Sequence, residues 1–157
     1  GPEGERWVPV HGFLPHSKLV QAWEGVQALF AANADEMARE GVAAGAMLAA
    51  VSRSTCLVEP VFFWPDALEE LHIRSLEPSH LAKLNRLPAN PEARGLVDRL
   101  RAEVIGVFQA LGAAHLQVAR SYPLKASHHP AAWAVLEAVK HSVDPKGLMN
   151  PGSLGLS

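Results

Sequence analysis

Among its 157 residues the sequence holds one cysteine, Cys56, and one tyrosine, Tyr122. A single cysteine excludes an internal disulfide and a thiolate metal site. With no base beside it in the sequence, Cys56 reads as a small buried hydrophobe. A surplus of either charge is also missing. Fourteen Lys and Arg against sixteen Asp and Glu give a formal charge of −2, spread along the chain with no cationic stripe for a phosphate backbone, so nucleic acid is not an expected partner. The longest apolar run, 41–51, is about half of the roughly 20 residues a membrane-spanning helix needs. No basic segment precedes an apolar leader, and a cytoplasmic protein with no membrane span is expected. No G-x-G-x-x-G loop joins a strand to a helix, and Gly41 and Gly45 are a poor substitute for one.

What is present is the composition of a globular domain, 48% apolar and 19% charged, in a chain long enough for one good core. Trp7, Val8, Val10 and Phe13 mark a strand over 6–13 that ends near Pro15. From Ser17, a candidate N-cap, the residues Leu19, Val20, Trp23, Val26, Leu29 and Phe30 recur at helical spacing, with Gly41 as the stop. The alanine-rich stretch 42–54 and the β-favouring run 55–64 predict two further strands. Pro65, Pro78, Pro88 and Pro91 break the next segment into short polar helical pieces such as 79–87, an insertion over about 66–90. Leu96, Val97, Leu100, Val104, Phe108 and Leu111 predict a second long amphipathic helix, followed by a short strand over 114–119.

The order βαββαβ is a split β-α-β unit, so the expected fold is α+β and ferredoxin-like, with two helices on one face of a four-stranded antiparallel sheet. This domain spans 1–120. Residues 121–157 add a C-terminal helix carrying Trp133, Leu136, Val139 and Val143, then a tail. Trp7, Trp23 and Trp133 each fit an apolar periodicity and are expected in the core. His128 and His129, just ahead of Pro130, read as a helix start.

The tail combines a helix with Lys140, the pair Asp144-Pro145, the turn at Gly147, the apolar pair Leu148-Met149, and Asn150-Pro151-Gly152. Proline stops on both sides hold the Asn150 amide on rigid backbone. This closing signature resembles that of FAD-linked oxidases of the vanillyl-alcohol oxidase type. The resemblance implies a substrate (cap) domain whose terminal segment returns to a flavin-binding domain or subunit outside this sequence. It implies FAD as cofactor, with Asn150 beside the isoalloxazine. It also implies oxidation of a small 2-hydroxy acid or alcohol to the carbonyl, with hydride transfer to the flavin and little activity in this chain alone.

In such chemistry the protein supplies a pocket, a base for the hydroxyl proton and cations for a carboxylate. Polar side chains near strand ends are the candidates. His11 and His115 are the candidate catalytic pair; Gln117, Arg120 and Tyr122 are candidate substrate-binding residues, Arg120 as a carboxylate clamp. Alternation places His115, Gln117 and Ala119 on one face. The seven-residue His spacing of a metal-using branch is not evident, since His11 and His16 are five apart, and no metal is expected. Bare apolar surface should also drive self-association. The alternative function is a non-catalytic metabolite-binding or dimerisation module of the same fold.

Overall fold

The computed structural model describes residues 3–116 and 120–156. A ten-residue strand, β4 (Thr55–Trp64), is the spine of the sheet. On one side it pairs antiparallel with β3 (Ala43–Ala50), and on the other with two short strands in line, β1 (Arg6–Pro9) and β2 (Gly12–Pro15). An antiparallel bridge joins Phe13 to Ala114 on the far side of β2. Reading β1 and β2 as one broken strand, this is the expected split βαββαβ sheet. The expected last strand over 114–119 is present as the Ala114 bridge, and 117–119 lie outside the described residues.

The break between β1 and β2 has its cause across the sheet, on β4. Val10 donates to the Pro60 carbonyl at 2.8 Å. Proline has no N–H to return that bond, so the ladder is interrupted at this one pair. Val10 and His11 therefore sit between two paired segments, in what was expected to be a continuous strand over 6–13.

On β4 the even positions Cys56, Val58, Pro60 and Phe62 are buried beneath the helices, while the odd positions look to the other face. The helices are α1 (Leu19–Ala32), which buries Ala22 and Val26, and α5 (Pro91–Ala110), which buries Ala93, Leu96, Val97, Leu100, Val104 and Phe108. Gly12 lets α5 approach, because a Cβ there would meet the Phe108 ring at 2.9 Å.

Three local expectations change. The helix predicted from Ser17 to Gly41 is two helices, α1 and α2 (Ala34–Glu40), after a 3₁₀ turn at His16–Lys18. Ser17 makes no cap. Asn33 breaks the run by donating its side-chain amide to the Leu29 carbonyl at 2.8 Å, competing with the helical ladder. The insertion forms α3 (Glu70–Ser75) and α4 (Pro78–Leu81) in place of a helix over 79–87. Trp7 is 56% exposed and not core: it pairs with Phe63 on the sheet face that the helices leave bare. Trp133, on α6 (Pro130–Val143), is buried, Trp23 is half-buried, and Cys56 is buried as expected.

A buried carboxylate fastens the segment 66–90 to the sheet and helices around it. Asp66, 1% exposed, accepts from the backbone N–H of Ala67 at 2.8 Å and of Asn90 at 2.9 Å, and from Arg94 Nη2 at 2.8 Å. Burial pushes this carboxyl up, but the bonds from Arg94, Asn90, Trp64 and Ala67 outweigh burial and hold it well below the usual range. Asn90 caps α5 by accepting from the Ala93 N–H at 3.0 Å, and also donates to the Glu40 carbonyl at 3.2 Å. Together they tie the ends of β4 and α2 to the start of α5.

Candidate functional site

Three of the sequence-predicted residues meet at the break in the first strand. His11 is buried, and its ring centroid lies 4.8 Å from that of Tyr122 and 5.9 Å from that of His115. Tyr122 and His115 stack, 4.1 Å apart with planes 21° from parallel. Like Phe13, which pairs with Ala114, His11 turns its backbone amide away from β4, to the edge where Tyr122 lies. Here that N–H donates to the Tyr122 hydroxyl at 3.0 Å.

Hydrogen-bond chemistry assigns the protons. The backbone N–H of Leu116 donates to His11 Nε2 at 2.7 Å, so that nitrogen carries a lone pair. The proton of neutral His11 is therefore on Nδ1, 3.0 Å from the Tyr122 oxygen, which accepts it. His115 Nδ1 lies 2.7 Å from the His11 carbonyl. A carbonyl only accepts, so Nδ1 of His115 is protonated and its Nε2 holds the lone pair. Both ring nitrogens of His11 are thus engaged, while His115 has a basic nitrogen left for a ligand.

The surroundings keep both rings neutral. Burial pushes His11 below its ordinary value, and the adjacent His115 adds to the effect. Burial also lowers His115, against a smaller opposing contribution from the His11 carbonyl. Burial raises the Tyr122 phenol. Tyr122 therefore stays a hydroxyl whose oxygen already accepts two bonds and whose proton can be given to a third group.

His115 lines a cavity of about 360 Å³ with Ala113, Ala114, Pro123, Leu124 and His128. Across Pro123 and Gln109, which line both, lies a second cavity of about 440 Å³ that includes Arg101, Arg120 and Tyr122. Arg120 is exposed and donates through Nη2 to the Pro151 carbonyl at 2.7 Å, linking this region to the tail. Gln117 lies outside the described residues.

Asn150 stands apart from the histidines. It is exposed, with φ of 48°, and lines a cavity of about 420 Å³ with Lys140, Asp144, Met149 and Ser153. The turn that carries it is fixed by Asp144, which pairs with Lys140 and accepts from the N–H groups of Leu148 at 2.9 Å and Met149 at 3.0 Å. Lys140 is the main reason the Asp144 carboxyl is held down at about 2. The Ser153 N–H donates to the Asn150 carbonyl at 3.0 Å. The proline-bounded motif thus presents its amide from a rigid left-handed turn. His129 caps α6 as expected, accepting from the Ala131 N–H at 3.2 Å.

Sequence reasoning missed Arg101, which shares a cavity with Arg120 and Tyr122. On a helix with Asp98 three residues earlier it looks like a solvated surface charge. Its Nε is in fact closed off from solvent, and no signal in the local sequence marks that.

Among the described residues, no group of three or more His, Cys, Asp or Glu is placed to hold a metal ion. Nor is any described helix long and apolar enough to cross a membrane. Residues 96–154, from the second turn of α5 to the tail, match the family model described as FAD linked oxidases, C-terminal domain. No curated protein matches the chain.

Proposed function

We propose that this chain, which carries the C-terminal domain of FAD-linked oxidases over residues 96–154, is the substrate-binding part of an oxidoreductase of the vanillyl-alcohol oxidase type, oxidising a small 2-hydroxy acid or alcohol to the carbonyl. The observation that carries this reading is His115: it lies inside the family-matched segment, lines a cavity, and holds an unprotonated Nε2 because its Nδ1 is bound to the His11 carbonyl. That is the equipment of a general base.

The residues fit covering a flavin, and fit holding one much less well. The open sheet face carries Trp7, Met47 and Phe63, all exposed, and the exposed flank of α6 carries Val135, Val139 and Val143. Asn150 adds an amide on a rigid turn. No glycine-rich loop among the described residues cradles a pyrophosphate. FAD would therefore be bound mainly by a separate domain or subunit, with this chain packed against it, and would supply hydride acceptance when bound.

The chain's own residues have distinct tasks in this account. His115 takes the substrate hydroxyl proton at Nε2. His11 is a positioning residue, fixing the His115 tautomer through its carbonyl and holding the Tyr122 oxygen. Tyr122 and Gln117 orient the substrate, Arg120 supplies positive charge for an acid group, and Asn150 meets the flavin edge.

Association is the first test. Titrated into the purified flavin-binding domain of the same enzyme, the chain should raise flavin fluorescence anisotropy saturably, and Phe63→Asp should abolish the rise. Without that partner the same bare faces should make the chain self-associate. A chain that dimerises through the open face yet ignores the flavin domain would favour the dimerisation module instead.

A further inference from the structure

We propose that the open sheet face is built for a partner that sets a cationic side chain against Glu59, in preference to a second copy of this chain. That the partner is the flavin-binding domain rests on the function proposed above; the disadvantage of a second copy does not. Glu59 is the fifth of the ten residues of β4, the spine of the sheet, and belongs to the odd set that looks away from the helices. Met47 on β3 pairs with it. On the other side the register, Pro9 with Val61 and Gly12 with Val58, sets His11 across from it. The carboxylate therefore lies at the middle of the face.

Its surroundings are apolar. Trp7, Phe13, Met47, Leu57, Val61 and Phe63 share the face, and Trp7, Met47 and Phe63 are exposed. Among the strand residues that look this way, Glu59 is the only acid or base besides His11, whose ring nitrogens are both engaged. Among the described residues Glu59 has no hydrogen-bond or ion-pair partner. In the free chain water solvates it, because the residue is only half-buried. Once the face is covered, that water is gone. An ionised carboxylate enclosed by apolar surface is strongly destabilising unless a counter-charge meets it.

Two occupants meet that carboxylate differently. A second copy brings the same charge. Two-fold pairing is the ordinary symmetry of a self-complementary contact, and about the middle of β4 it sets Glu59 against Glu59. A partner with a lysine or arginine at that point turns repulsion into attraction and fixes the register of docking. The charge also lies near the proposed site: burial is the main cause that raises the Tyr122 phenol, and the Glu59 carboxylate adds to it. Tyr122 in turn stacks on His115. A cation held on Glu59 therefore seats the partner alongside the residues proposed to meet the substrate.

The test is one substitution read in two assays. Glu59→Gln keeps the size and removes the charge, and since Glu59 bonds to nothing in the chain, the free variant should melt together with the unaltered chain. In sedimentation velocity at neutral pH the variant should self-associate at roughly tenfold lower concentration. In the anisotropy titration with the flavin-binding domain it should bind roughly tenfold or more weakly, and the salt dependence of that binding should shrink. The sign of the effect thus reverses between the two occupants. Binding of Glu59→Gln to the flavin-binding domain as tight as that of the unaltered chain, or tighter, would overturn the cation. Self-association that Glu59→Gln leaves unmoved would overturn the disadvantage of a second copy. Failure of the unaltered chain to bind the flavin-binding domain at any salt concentration would sink the oxidase reading, and sedimentation would still decide the second copy.

Discussion

Removing a single oxygen from Tyr122 tests the cluster at the strand break. Tyr122→Phe keeps the ring, its burial and its stacking on His115, and deletes only the acceptor used by two His11 donors, the backbone N–H and Nδ1–H, each at 3.0 Å. Neither donor can turn to water, since His11 is 4% exposed. The imidazole cannot escape by moving its proton to Nε2, because that nitrogen accepts from the Leu116 N–H. Two buried donors are left unsatisfied, at about 1–3 kcal/mol each, with some relaxation of the loop as relief, so a loss of about 2–4 kcal/mol is expected. In a domain of this size that lowers the melting temperature by roughly 5–15 °C. Urea denaturation followed by circular dichroism should show the midpoint falling with the slope unchanged. A loss under about 0.5 kcal/mol would refute the assignment of the Tyr122 oxygen as acceptor for the two His11 donors.

Other sites give independent checks. Gly12→Ala places a methyl group 2.9 Å from Phe108 and must push α5 off the sheet, costing about 1–3 kcal/mol in the same denaturation assay. Asp66→Asn keeps the shape but removes the charge that Arg94 and two backbone N–H groups bind, and should cost about 2 kcal/mol; limited proteolysis should then cut the insertion first. Stability should also depend on pH through the histidine pair. Both rings have native values lowered from 6.5, so as pH falls the unfolded chain takes up protons first. The contribution is complete above roughly pH 7, falls as pH drops through 6.5 toward the lowered native values, and levels off below them. In His11→Gln/His115→Gln that slope should be absent between about pH 7 and pH 5.

Most of the architecture was legible in the sequence because the elements announce themselves locally. The α5 stripe from Leu96 to Phe108, the β-favouring run of β4 and the proline stops at Pro65 and Pro145 are each decided by near neighbours, and with them the βαββαβ order follows. What was not legible depends on distant partners. The break at Val10 comes from Pro60 across the sheet. The division of α1 from α2 comes from Asn33 preferring the Leu29 carbonyl, a choice propensity alone does not reveal. Alternation assigned Trp7 a face but could not say whether that face was covered. His11 and His115 were legible as a candidate pair, and Tyr122 as a substrate-binding residue beside Arg120; their mutual hydrogen bonds, and the engagement of both His11 nitrogens, needed the fold. Arg101 was hidden for the opposite reason, since its helical neighbours make it look solvated.

In the proposed reaction, His115 Nε2 takes a proton from a substrate held against a flavin on a partner domain. The most direct measurement is anaerobic bleaching of flavin absorbance on adding a 2-hydroxy acid to the chain combined with its flavin-binding domain, compared with His115→Gln in the same complex. Bleaching with the unaltered chain, slowed by about 10²-fold or more in His115→Gln while the complex still assembles, is the predicted result. An assembled complex that bleaches equally fast without His115 would contradict the account.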